Sequence, residues 1–270
     1  MMMSEALAKT GAQTKGASWN GDLNRQGYDI LNNGGGAIVS PTKVGYIIMT
    51  SDKVGLERKF DAKERKRNKP GVVLCGSMDH LRALAQLTPE IEAFYQAHWD
   101  QDILLGCILP WKEEGKKYIP DDGSQELMMD GRGTSCFVIK FGVPSEQIAA
   151  ALWDNEKKLS LASSANPSGK GNRGLITGVG ERIENEVDLL IEGNDYVASI
   201  QADKDADTRF EQGVMVSMVD DEGTIIPEQK GERGVLPAPV LIRKGLDYDR
   251  IMGLLSEHFL TWDYRQGAYY

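Results

Sequence analysis

Short apolar runs alternate along the chain with stretches that repeat apolar residues every three or four positions, a pattern of strands and helices taking turns. "AIVSP" (37–41), "GYIIMT" (45–50), "GVVLC" (71–75) and "ILLGCILP" (103–110) predict strands in the first half. "TSCFVIKFG" (134–142), "KLSLA" (158–162), "VDLLIEG" (187–193), "GVMVSMVD" (213–220) and "PAPVLIRKG" (237–245) predict strands in the second. Between them lie a helix over Asp22 to Asn32, ended by "NNGGG", and a charged helix near Asp52 to Lys66. Ser77 is placed to cap a helix carrying Leu81, Leu84 and Leu87, and Thr88 to cap the next, whose first residue is Pro89. "PSEQIAAALW" (144–153) and Asp247 to Phe259 predict two more helices.

Residues 1–20 are small and polar without period and predict a mobile tail. Residues 21–246 then predict one α/β domain with a twisted mixed sheet and flanking helices. Residues 111–133 interrupt it as a long excursion, a lid or an altered acceptor channel. Residues 247–270 add a helix and an aromatic tail, "TWDYRQGAYY", which docks on its own domain or on a partner.

Composition narrows the function classes. A net charge of −9 argues against a protein that coats DNA, while leaving room for a local basic pocket. The three cysteines, Cys75, Cys107 and Cys136, are far apart; two sit in apolar strands, which predicts buried free thiols and a reducing cytoplasm. Three scattered His offer no zinc spacing, no run of eighteen apolar residues is present, and the N-terminal residues lack a signal peptide's apolar core.

Two segments concentrate chemistry. "KERKRNKP" (63–70) has five cations in eight residues, and reads as a solvated basic turn or as a phosphate clamp. "LSLASSANPSGKGNRG" (159–174) leaves a strand for small polar residues, and reads as a surface loop or an anion seat. In the second reading Ser163, Ser164 and Asn166 supply donors, and Gly169, Gly171 and Gly174 let the backbone approach a ligand. It lacks the Walker frame. "SPTKVGY" (40–46) adds the Thr42 hydroxyl and the Tyr46 ring at a strand end. No Gly-x-Ser-x-Gly elbow occurs, and the acidic clusters at 121–122 and 220–222 read as turns, so any chemistry would rest on positioning and electrostatics.

The order of these pieces resembles the YrdC/TsaC family, the threonylcarbamoyl-adenylate synthases that feed the t6A modification of tRNA. The resemblance runs from Leu23 to Gly245 and rests on strand–"PT", "KER…KP" before a strand, "SSAN.SG" after one, then "VDLLIEG", "SMVD" and "LIRKG". It implies a basic concave cleft that binds ATP, Mg2+, bicarbonate and a small amino acid, with a tRNA or a transferase downstream. By position it implies catalytic and triphosphate roles for Lys63 and Arg65, and nucleotide contacts for Ser164, Asn166, Ser217 and Arg243. Thr42, Tyr46 and Lys140 fall at the substrate pocket. The departures are Val44, Gly106 and Met218 where the family carries Thr, and Lys140 where it carries Arg. They favour a divergent paralogue with another amine substrate, or one that keeps nucleotide or RNA binding without the synthase chemistry.

Overall fold

The computed structural model describes residues 15–167 and 170–267. Among these, eleven strands form one sheet: β1 (Gly16–Ser18), β2 (Ile38–Thr42), β3 (Gly45–Thr50), β4 (Val72–Leu74), β5 (Leu105–Pro110), β6 (Thr134–Ile139), β7 (Leu161–Ser164), β8 (Leu189–Glu192), β9 (Val214–Ser217), β10 (Val240–Arg243) and β11 (Asp263–Tyr264). Their spatial order is β1-β8-β2-β3-β7-β4-β6-β5-β9-β10-β11, with parallel and antiparallel neighbours mixed. The helices are α1 (Arg25–Asn33), α2 (Lys53–Lys63), α3 (Met78–Leu84), α4 (Pro89–Asp100), α5 (Gln125–Met128), α6 (Val143–Glu156), α7 (Glu181–Glu186), α8 (Asn194–Ile200) and α9 (Tyr248–His258).

Local chemistry sets the boundaries. Asn24, Asp52, Ser77 and Thr88 each accept a backbone N–H at a helix start, as an N-cap must. At the end of α2, Glu64 turns left-handed, so the chain doubles back immediately after Lys63.

Strand alternation sends residues to two faces. On one, Val73, Leu105, Cys107, Leu109, Phe137, Leu161, Val214 and Val216 join the main core beneath α3, α4 and α9. On the other, Leu74, Leu104, Cys136, Val138, Ala162 and Met215 join a second cluster with α1 and α6. All three cysteines are free and buried, as expected.

Two expectations are corrected. Gly16–Ser18, assigned to a mobile tail, pairs with β8 as a parallel edge strand, because backbone pairing needs no apolar pattern; residues 1–14 lie outside the described residues. The excursion at 111–133 is not a lid. It contains a turn of 3-10 helix and α5, and buries Trp111, Leu127 and Met128 in the main core, on the sheet face away from the cleft. Trp111 Nε1 donates to Ser135 Oγ at 2.8 Å, which in turn donates to Met128 O. Of the two outcomes expected for the C-terminal segment, residues 247–267 take docking on their own domain: α9 packs on α4, and β11 extends the sheet beside β10.

Candidate functional site

The cleft lies on the second sheet face, and strand register explains its lining. Ile47 stands opposite Ser164; Ala162 opposite Val72; Val72 opposite Cys136; Leu74 opposite Val138. Val138 then faces Gly106, Gly106 faces Met215, and Met215 faces Arg243. All of these residues line one cavity of about 540 Å³. Its floor is apolar, and its polar groups sit at the rims.

Arg243 reaches the cleft through a bulge. The register of β9 and β10 slips between Leu241 and Arg243, so Ile242 and Arg243 both turn towards the second face. Gly213 O fixes the guanidinium by accepting from Nε at 2.9 Å. Gly106 has no room for a side chain, since a Cβ there would sit 2.9 Å from Cys136 Sγ. Burial pushes the Cys136 thiol up to about 12, so it is no nucleophile at neutral pH.

At the opposite rim, Arg65, Lys69, Ser163, Ser164, Asn166 and Lys170 line the cavity. Lys63 ends α2 with its side chain buried, donating to the carbonyl of Ser164 and to its Oγ at 3.1 Å. Burial, helped by Arg65, pulls the Lys63 ammonium down to about 7. Arg65 Nε donates to Lys69 O at 2.9 Å, which holds the basic turn in a fixed shape. Ser163 Oγ is buried without a hydrogen-bond partner among the described residues. Asn166 Nδ2 is turned inward, onto the carbonyls of Pro167 and Lys170.

Arg65, Ser164, Asn166 and Thr42 therefore line one cleft, with Arg243 across it, and Lys63 stands buried behind Ser164 rather than among the lining residues. The Thr42 hydroxyl is committed within its own turn, donating to Gly45 O at 2.7 Å and accepting from Val44 N. Tyr46 falls on the other sheet face: its hydroxyl donates to Asn194 Oδ1 at 2.7 Å and accepts from Gly193 N at 2.9 Å. Alternation along β3 explains this, because Ile47 faces the cleft and its neighbour cannot. Ser217 is buried one pair beyond Met215, with Oγ 3.4 Å from Val219 O, and does not line the cavity. Lys140 also stands off it, 4.3 Å over the Trp99 ring and 3.4 Å from the Asp102 carboxylate.

Three residues of the site escaped the sequence reading. Asn172 is a brace for the loop: Nδ2 donates to Tyr46 O and Ala165 O, and Oδ1 accepts from Tyr46 N and Gly174 N. Glu211 lines the cleft and accepts from Arg173 N at 2.6 Å, while Arg173 pairs with Asp207. Lys59 is buried on the same face of α2 as Leu56, Phe60 and Lys63. That spacing of i, i+3, i+4 and i+7 was readable as a buried stripe with two lysines in it. Gly169, expected to let the backbone approach a ligand, lies outside the described residues.

These features define a mixed α/β protein with a cleft whose rim concentrates buried and partly buried cations. The Sua5/YciO/YrdC family model, described as telomere recombination, matches residues 30–204, and the chain belongs to that family. A hypothetical protein, smu.1377c from Streptococcus mutans UA159, is 64% identical over 96% of this chain and 100% of its own, with a TM-score of 0.90. P. abyssi Sua5 complexed with L-threonine is 22% identical with a TM-score of 0.60, covering 86% of this chain and 57% of the Sua5 chain. E. coli YciO is 18% identical with a TM-score of 0.55, covering 82% of this chain and 88% of its own. These last two likenesses establish the fold. No curated protein matches the chain. No described helix is long and apolar enough to cross a membrane.

Proposed function

We propose that the cleft binds ATP and joins its AMP part to the carbamate of an amino acid or related amine, releasing pyrophosphate. The observation that carries this reading is the Lys63–Ser164 contact, set beside Arg65 and Asn166 at one rim of the cleft. A polyphosphate suits that rim: it offers the cations Arg65, Lys69 and Lys170.

In this scheme the amine captures carbon dioxide from bicarbonate, and the resulting carbamate oxygen attacks the α-phosphorus in line with the departing pyrophosphate. No protein nucleophile is needed. Lys63 and Arg65 bind the phosphates and stabilise charge that grows on the leaving group. The described residues hold no cluster of three acidic, His or Cys side chains fit for a metal. Mg2+ would therefore enter with the nucleotide and supply further neutralisation of the pyrophosphate. The product is a carbamoyl-adenylate, passed to a transferase that modifies tRNA or a related acceptor.

A second reading is a nucleotide- or RNA-binding paralogue without the synthase step. It is favoured by the committed Thr42 hydroxyl and by the apolar floor around Gly106, which offer little to a polar amino acid. Isothermal titration with ATP and Mg2+, followed by a pyrophosphate-release assay with bicarbonate across the standard amino acids, separates the two. The synthase reading expects amine-dependent release; binding of ATP, AMP or single-stranded RNA without release supports the second, and no binding at millimolar ATP overturns the first.

A further inference from the structure

Lys59 is a buried side chain that the family pattern does not explain. It is 1% exposed, and its Nζ has no hydrogen-bond partner among the described residues. The Phe60 ring lies 4.9 Å away, too weak a contact to replace water around an ammonium. Nζ lies directly behind the cleft wall: a Cβ on Gly71 would stand 2.8 Å from it and 2.1 Å from Ala162 O. Gly71 and Ala162 both line the cleft, so Nζ abuts the backbone of a lining residue that carries no side chain.

Burial, with Arg65 and Lys63 pressing in the same direction, brings the Lys59 ammonium down to about 7. A lysine kept in this state weakens the fold, since methionine of similar length would fill the same space without a polar end. An anion in the cleft reverses the balance, because it attracts a third positive charge through a wall that excludes water.

We propose that Lys59 is a third cation of the anion seat, acting from behind Gly71 to favour ligands that carry several phosphates over those that carry one. The proposal rests on the reading of the cleft as a phosphate site, and extends it to a residue outside the Lys63–Arg65 pair. Charge is the operative property, so the contribution of Lys59 grows with the charge of the ligand, whereas a purely structural lysine would affect all ligands alike.

The test is isothermal titration of wild type, Lys59→Met and Lys59→Gln with inorganic tripolyphosphate, ATP and AMP, alongside thermal melts. Both variants should weaken tripolyphosphate and ATP by about tenfold and AMP by less than about threefold, the scale of one screened charge at close range. Lys59→Met should melt no lower than wild type. Equal changes for all three ligands, or none, overturn the proposal, as does wild type failing to bind tripolyphosphate. If tripolyphosphate binds in a Lys59-dependent way but ATP does not, the nucleotide reading fails while the role of Lys59 stands.

Discussion

Replacing Asn172 with alanine removes a brace that ties the glycine-rich loop to β3. The amide makes four hydrogen bonds, at 3.0 and 3.2 Å from Nδ2 to Tyr46 O and Ala165 O, and at 3.2 and 3.1 Å to Oδ1 from Tyr46 N and Gly174 N. Tyr46 O also accepts from Ala165 N, so it keeps a partner, whereas the two N–H groups lose this acceptor. Two buried donors stripped of an acceptor, plus the lost side-chain contacts, amount to about 3 kcal/mol. In a chain of this size that lowers the melting temperature by about 6–12 °C. Asn172→Asp sharpens the test. It retains Oδ1 but turns the donor end into a carboxylate facing two carbonyls at a site 5% exposed. Its carboxyl is held above the unfolded value, so stability is present below the unfolded pKa and is lost as pH rises through the folded one. Thermal melts of both variants from pH 4 to pH 8 measure this, at roughly the range where a desolvated carboxyl titrates. An alanine variant that melts within about 2 °C of wild type would refute the brace.

Other perturbations probe the rest of the account. Lys59 and Lys63 both have folded values near 7 against an ordinary value of 10.5, so the unfolded chain binds more protons between those limits. Stability should therefore rise with pH from about 7 to about 10, and Lys63→Met should flatten that rise in pH-dependent denaturation. Tyr46→Phe removes the bonds to Gly193 and Asn194 and should cost about 1–2 kcal/mol in chemical unfolding. Because that hydroxyl lies on the far sheet face, ATP affinity should stay within about twofold, below 0.5 kcal/mol. Trp111→Phe loses the indole bond to Ser135 and leaves a gap in the main core, costing about 1–3 kcal/mol with nucleotide affinity unchanged; a large change in affinity would return the 111–133 segment to the cleft.

The elements most legible in the sequence were those whose caps and periods agreed. Ser77, Thr88 and Pro89 announced α3 and α4 through hydrogen-bond chemistry that is local, and β2, β3, β5 and β6 were apolar enough to stand out. Gly16–Ser18 and Asp263–Tyr264 were hidden because edge pairing uses backbone groups that every residue carries. The candidate site was legible in part. "KERKRNKP" and "SSANP" (163–167) do converge, because the first leads into β4, the second leaves β7, and β4 and β7 are sheet neighbours. The side of the sheet on which a residue falls was harder to read. Tyr46 and Ile47 are adjacent in sequence and point to opposite faces, and only the register decides which one meets the cleft. Arg243 reaches the cavity through a bulge that no local signal marks. Lys59 was counted with a charged helix, although its spacing from Leu56, Phe60 and Lys63 placed it on the buried stripe.

The most direct test of the central claim is a crystal structure of the protein soaked with ATP and Mg2+. The account predicts triphosphate density between Lys63, Arg65, Ser164 and Asn166, with the rest of the nucleotide lying over the apolar floor towards Gly106 and Arg243. Phosphate density beside Lys140 instead, or no density in the cleft at saturating nucleotide, would contradict it.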